Sequence, residues 1–303
     1  MSRVILLAGI LLIVIAASPA SSHEPSPERV MDFADYLYRM GDYYRAITEF
    51  ERFAFTYPDH PSVKLARFQV AKSYYMGQKW DQAAERFRLL SEEYAKEETG
   101  RKSLFMLGEV YLAQMEYQRA IPVYNSFVKT YPDDERRDVA IIQIGRCQLW
   151  QRDWRLAGET FENIGPDSPL RTQAQGLAAG ARGFPSIQRK SPVLAGTLSA
   201  VLPGAGQFYI GRTTDAVISF LLNGVFIWGA VESFRNGNNV AGGILVAFES
   251  GWYLGNIFNA TSGAYKFNRR VEQNYLNNLQ NQYRISLRRD RDGNTAVVLN
   301  VDF

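Results

Sequence analysis

Every 37 residues through the first half of this chain an aromatic side chain returns: Tyr43, Trp80, Tyr117 and Trp154. Ala46, Ala83, Ala120 and Ala157 follow in register, then Phe50, Phe87, Tyr124 and Phe161, then Phe53, Leu90, Phe127 and Ile164. Tyr57, Tyr94 and Tyr131 add a further column in the first three units. A period of this length restricts the fold to copies of one supersecondary unit. Within a unit the columns fall at i, i+3, i+7 and i+10, which is one face of an α-helix. The alanine marks where a neighbouring helix must approach closely. A preceding helix carries Leu37-Tyr38, Tyr74-Tyr75, Tyr111-Leu112 and Leu149 at matching phase. Short turns at Met40-Gly41-Asp42, Gly77-Gln78-Lys79 and Met115-Glu116 join the two, and Pro58 and Pro132 end the second helix. A helix pair cannot bury its apolar face alone, so the units are expected to stack into a right-handed array with a concave surface.

The string Leu37-Tyr38, Gly41-Asp42-Tyr43, Ala46-Ile47, Phe50, Tyr57-Pro58 resembles a tetratricopeptide repeat. The spacing exceeds the usual ~34 residues, so slightly long loops between repeats are expected. The Tyr-Pro-Asp loop ends are similar to those of periplasmic proteins of the BamD-like and Tol-Pal-associated type. The resemblance covers about residues 27–165. It implies binding of peptides or proteins, with no catalytic role for the repeat residues. Exposed residues of the first helices, Arg39, Gln69, Lys72 and Glu109, are the expected partner-binding face. The fourth unit departs from the pattern, with Gly158 in place of a bulkier residue and no closing Tyr-Pro pair. Ser168-Pro169 then reads as the N-cap and first turn of a capping helix bearing Leu170, Ala174, Leu177, Ala178 and Ala181. The solenoid is expected over residues 26–183.

Composition matters because it changes along the chain. Overall, hydrophobic residues make up 46% and charged residues 21% of 303. Between Ser191 and Ala260, however, only Arg212, Asp215, Glu232, Arg235 and Glu249 carry charge. At the N-terminus Arg3 precedes an apolar run from Val4 to Ala17 and then Ser18-Pro19-Ala20-Ser21-Ser22, the order of a secretory signal peptide. Residues 1–22 are therefore expected to be a signal that sends the rest across the inner membrane. Residues 184–191 read as a linker and 192–262 as an apolar membrane domain.

That domain begins with a helix interrupted at Pro203, then Gly204, Gly206, Gln207, Tyr209 and Gly211. The sequence Pro-Gly-Ala-Gly-Gln-Phe-Tyr-Ile-Gly resembles small bacterial membrane domains with a Pro-Gly-x-Gly-Gln-x-Tyr-x-Gly signature, found downstream of tetratricopeptide arrays. A nucleotide loop is excluded, since neither the dinucleotide glycine spacing nor Gly-Lys-Ser/Thr occurs. Ala216–Val231 and Val240–Ala260 read as two spans of a transmembrane hairpin, turned at Asn236-Gly237-Asn238-Asn239. Gly243, Ala247, Gly251 and Gly255 form a small-residue stripe expected to pack membrane helices. Glu249 is the charge at mid-span, expected to pair with Arg212 or Arg235 or to face Asn223. Residues 263–303 read as a polar helix followed by a β-hairpin turned at Asp292-Gly293.

The formal charge of +3, without a basic stripe, argues against nucleic acid. One cysteine, Cys147, and two histidines argue against a disulfide framework or a metal centre. No catalytic, cofactor-binding or metal-binding residue is expected. The fold class expected is mainly α: a tetratricopeptide solenoid, a short transmembrane helical hairpin and a C-terminal β-hairpin. The function expected is that of a non-enzymatic envelope scaffold with its solenoid in the periplasm, the inner membrane being favoured over the outer. Its partners would be envelope proteins or peptides and the lipid bilayer, with self-association through the hairpin as an option. The alternative makes residues 192–262 and Glu249 the active part of a transport or ion-coupling component.

Overall fold

The computed structural model describes residues 26–282, 285–289 and 295–299. The expected signal, residues 1–22, and the Asp292-Gly293 turn lie outside the described residues. The chain divides into two compact units, residues 1–103 and 104–303.

In the first unit, α1 (Pro27–Arg39), α2 (Tyr43–Thr56), α3 (Val63–Met76) and α4 (Trp80–Glu93) form the first two helix pairs. Ser26 and Asp42 accept hydrogen bonds from the Arg29 and Arg45 amides, capping α1 and α2. Val30, Ala34, Leu37, Ala46, Phe50, Phe53, Val63, Ala66 and Val70 share one core. Ala46, Ala83, Phe50 and Phe87 are fully buried, whereas Tyr43, Tyr57, Trp80 and Tyr94 are only half-buried. Helix α5 (Glu98–Ala113) starts in this unit and ends in the next.

In the second unit, α6 (Tyr117–Thr130), α7 (Arg137–Trp150), α8 (Trp154–Glu162) and α9 (Arg171–Gly183) continue the helical pairs. Ala120, Ala157, Tyr124 and Phe161 are fully buried; Tyr117 is half-buried and Trp154 buried. Helix α9 caps the array with the expected residues inward, but it begins two residues later than expected. The Ser168 hydroxyl accepts from the Leu170 amide at 3.2 Å and so closes a turn ahead of the helix. Cys147 is buried in α7, where burial pushes its thiol up to about 12, consistent with a packing role.

The turn inside each helix pair has a left-handed residue at the same place in the period: Gly41, Gln78, Met115 and Arg152. Three of the four carry a side chain where it costs about 1 kcal/mol. Met115 is exposed with φ of 61°. Met115→Gly is therefore expected to raise thermal stability by roughly 0.5–1 kcal/mol, less whatever glycine adds to unfolded-state entropy. Gly41→Ala should lower it, and a matched pair of melting curves checks both signs.

The expected linker is not free. A 3-10 turn at Phe184–Ser186 places Phe184 flat on Trp154, with ring centroids 3.7 Å apart. Asn268 holds Lys190 by two main-chain hydrogen bonds of 2.8 Å. Helix α10 (Pro192–Val201), α11 (Ala205–Tyr209), α12 (Thr213–Arg235) and α13 (Asn239–Gln282) complete the helical part.

Helix α13 corrects the division at residue 262. It runs unbroken for 44 residues, so the second apolar segment and the polar helix are one element. Its last turns return to the repeats: the Tyr275 hydroxyl donates to the Gly180 carbonyl at 2.7 Å, the Tyr275 ring meets Trp154, and Glu272 pairs with Arg152 at 2.8 Å. Strands β1 (Ile285–Arg289) and β2 (Thr295–Leu299) then pair antiparallel, with Leu287 opposite Val297.

Candidate functional site

Two places in the chain invite a functional reading: the outward faces of the repeats and the polar interior of α10–α13.

On the first unit, Arg39 is exposed, while Gln69 and Lys72 are half-buried. The Gln69 amide nitrogen donates to Asp35 at 3.4 Å, and the Lys72 ammonium lies 5.1 Å from the centre of the Tyr38 ring. These residues bring α1 and α3 together into one polar strip. In the second unit Glu109 is engaged from within: it accepts from the Tyr124 hydroxyl at 2.6 Å and from Gln143 at 2.8 Å. Its carboxylate thus orders a buried tyrosine, which leaves it less available to a ligand.

The sequence reading passed over Tyr44 and Phe55, which are 82% and 88% exposed on α2. They lie eleven residues apart and so share a helix face. The signal was present in the period. Tyr44 stands in a column otherwise filled by Asp81, Gln118 and Arg155, and Phe55 in one filled by Glu92 and Lys129. Aromatic groups placed where the other repeats carry polar ones are candidates for contact with a partner.

In the apolar domain the Pro203–Gly211 motif forms the packing centre. Gly204 has φ of 91°, and a Cβ there would strike the Ala216 carbonyl. A Cβ on Gly206 would strike the Ala195 carbonyl and the Ser199 hydroxyl. This close approach lets the Gly206 amide donate to the Ser199 hydroxyl at 3.1 Å. Gln207, 1% exposed, accepts from Ser199 at 2.8 Å and donates to the Asn256 carbonyl at 3.0 Å, linking α10, α11 and α13. The Tyr209 hydroxyl accepts from the Ser191 amide, and the Lys190 ammonium sits over its ring. Each of these groups is consumed in holding the domain together.

The same domain is polar inside and apolar outside. Ser199, Gln207, Ser219, Asn223, Glu249 and Asn256 are buried, whereas Phe220, Leu221, Val225, Trp228, Phe248, Leu254 and Phe258 are exposed. Helix α12 is long and apolar enough to cross a membrane. Helix α13 does not meet the same criterion, because Gly, Ser, Asn and Glu249 dilute its first half, so among the described residues one span qualifies where two were expected.

Within the chain, α13 departs from two expectations. Gly243, Gly251 and Gly255 face open space, and Ala247 is exposed; the contact with α12 runs instead along Gly242, Glu249 and Asn256. Glu249 pairs with neither arginine. Arg212 binds Asp215 at 2.6 Å and Asn259 at 2.8 Å, and Arg235 faces Glu232 at 3.8 Å. The Asn223 amide nitrogen donates to the Ser219 carbonyl, and neither Glu249 carboxyl oxygen is hydrogen-bonded. Among the described residues no group of acids, histidines or cysteines could hold a metal ion.

Comparison with known families matches residues 31–98 to a model described as tetratricopeptide repeat, and residues 102–134 to a second model of the same description. The chain therefore carries tetratricopeptide repeats. Among solved structures it is similar to a tetratricopeptide repeat protein from Parabacteroides merdae ATCC 43184, at 15% identity and a TM-score of 0.43 over 84% of this chain and 98% of that one. It is also similar to the apo form of RapI, at 14% identity and a TM-score of 0.41 over 81% of this chain and 88% of that one. No curated protein matches the chain.

Proposed function

We propose that this chain is a non-enzymatic scaffold of the bacterial envelope, tethered to a membrane by its apolar domain and binding partner proteins or peptides through its tetratricopeptide repeats in the periplasm. The repeats support the binding half, since stacked helix pairs present extended surfaces and no chemistry of their own. The observation that carries the membrane half is the reversed polarity of α10–α13. A helix in water buries its apolar side chains. Here amides, hydroxyls and a carboxyl are buried while phenylalanines and leucines face outward, the arrangement favoured when the surroundings are hydrocarbon. The N-terminal signal pattern supports export. Because α13 continues from the apolar domain to the Trp154–Phe184 stack, the tether is continuous with the last repeat.

Single cysteines in a Cys147→Ser background test this reading. Asp167→Cys is expected to react with an impermeant maleimide from the periplasmic side, and Val225→Cys only after detergent is added. The protein should stay with membranes through an alkaline carbonate wash. A soluble protein freely labelled at Val225→Cys sinks the membrane half. A photoreactive residue at Arg39, Tyr44 or Lys72 should yield a discrete adduct in intact cells, and adducts at none of the three sink the scaffold half.

A further inference from the structure

We infer that the cleft between α12 and α13 around Glu249 is a binding site for a single-chain amphiphile with an ammonium head, the carboxylate receiving the head and the cleft walls the chain.

The cleft encloses about 500 Å³ and its walls are Ile227, Ala230, Val231, Phe234, Val246 and Leu254. That volume lies within the range of small-molecule sites. Three polar side chains also line it, and two are already used. The Ser250 hydroxyl donates to the Val246 carbonyl at 2.8 Å, and the Tyr253 hydroxyl donates to the Ala200 carbonyl at 3.0 Å. The third is Glu249, 9% exposed, with neither carboxyl oxygen hydrogen-bonded. No lysine, arginine or histidine lines the cleft.

A buried acid without partners is costly, and such groups are commonly paired or bound to a ligand. The neighbouring cations are committed elsewhere, Arg212 to Asp215 and Asn259, and Arg235 to Glu232. With these arginines engaged, the partner is supplied from outside the helix pair. Charge complementarity selects a cation, the unfilled acceptor oxygens select one that donates hydrogen bonds, and the walls select an apolar tail. A primary or secondary alkylamine meets all three. A carboxylate amphiphile fails the first, an alcohol forgoes the charge, and a quaternary ammonium lacks a donor. The site is independent of what the repeats bind.

The test uses the full chain in a neutral maltoside detergent and a twelve-carbon amine bearing a diazirine, with the matching alcohol as control. The amine is expected to label peptides spanning residues 227–234 and 246–254 over the alcohol by at least about tenfold, the scale of one charge-assisted hydrogen bond. Glu249→Gln should lower amine labelling to the alcohol level without loss of thermal stability, since it removes an unpaired charge. Val231→Trp fills the cleft from an exposed position and leaves Glu249 in place; it too should abolish labelling. Equal labelling by amine and alcohol overturns the proposal. So does amine labelling that survives either Glu249→Gln or Val231→Trp.

Discussion

Gly206→Ala is expected to destabilise the apolar domain by on the order of 3 kcal/mol, enough to loosen α10 and α11 from α13. The added methyl meets main chain on one side, at the Ala195 carbonyl, and the Ser199 hydroxyl and Ala260 on another. A flexible side-chain tip could move aside, but a helical carbonyl cannot do so without shifting α10. The shift also breaks the Gly206–Ser199 and Ser199–Gln207 hydrogen bonds, and the Gln207 amide loses its position below the Asn256 carbonyl. Buried amides left without partners then add about 1–3 kcal/mol each to the cost. Gly255→Ala is the control, because a Cβ there meets nothing within 4 Å. It should be neutral or gain up to ~1 kcal/mol from helix propensity. Thermal unfolding in detergent and hydrogen exchange over residues 192–212 separate the two variants. If Gly206→Ala melts no lower than Gly255→Ala, the motif is not the packing centre of this domain.

The repeats were legible because one constraint acts many times. A residue facing a neighbouring helix meets the same surroundings 37 positions later, so the columns agree and the turns between them agree. A further column was equally readable and was passed over: Ala34, Ala71, Gly108 and Gly145, all buried on the first helix of each pair. The apolar domain was harder to read because its interior is polar. A stripe at four-residue intervals, Gly243 to Gly255, looks like a helix contact, yet the contact follows a seven-residue interval through Gly242, Glu249, Asn256 and Gly263. Both stripes have helical spacing, and only the position of α12 and α11 decides between them. The continuity of α13 was obscured by charge. Lys266, Arg269 and Arg270 suggest a boundary by composition, but no proline and no glycine follows Gly263 before the helix ends, and without a breaker the backbone hydrogen bonds continue. The return of Tyr275 to Gly180 joins residues 95 apart and leaves no local pattern at all.

The passed-over column carries the second large effect. Phe161 is fully buried, and a Cβ on Gly145 would collide with its ring. Phe161→Ala is expected to cost about 3–5 kcal/mol through lost burial and the cavity left behind. Gly145→Ala alone is expected to cost about 1–2 kcal/mol, the overpacking outweighing the gain in helix propensity. In the Phe161→Ala background the obstacle is gone. The same methyl then partly fills the cavity and stiffens α7, so Gly145→Ala should become stabilising, by up to ~1 kcal/mol. A change of sign is a stronger test than a large loss, since any disruptive substitution lowers stability but only direct steric contact reverses the effect of its neighbour. Thermal unfolding of the four proteins in the cycle measures it. Additive losses would mean that α7 and α8 adjust independently and that the glycine is tolerated rather than required. Reversal would mean that the ring and the missing side chain are one packing unit, and the same cycle at Gly108 and Tyr124, where the collision recurs one period earlier, should repeat it.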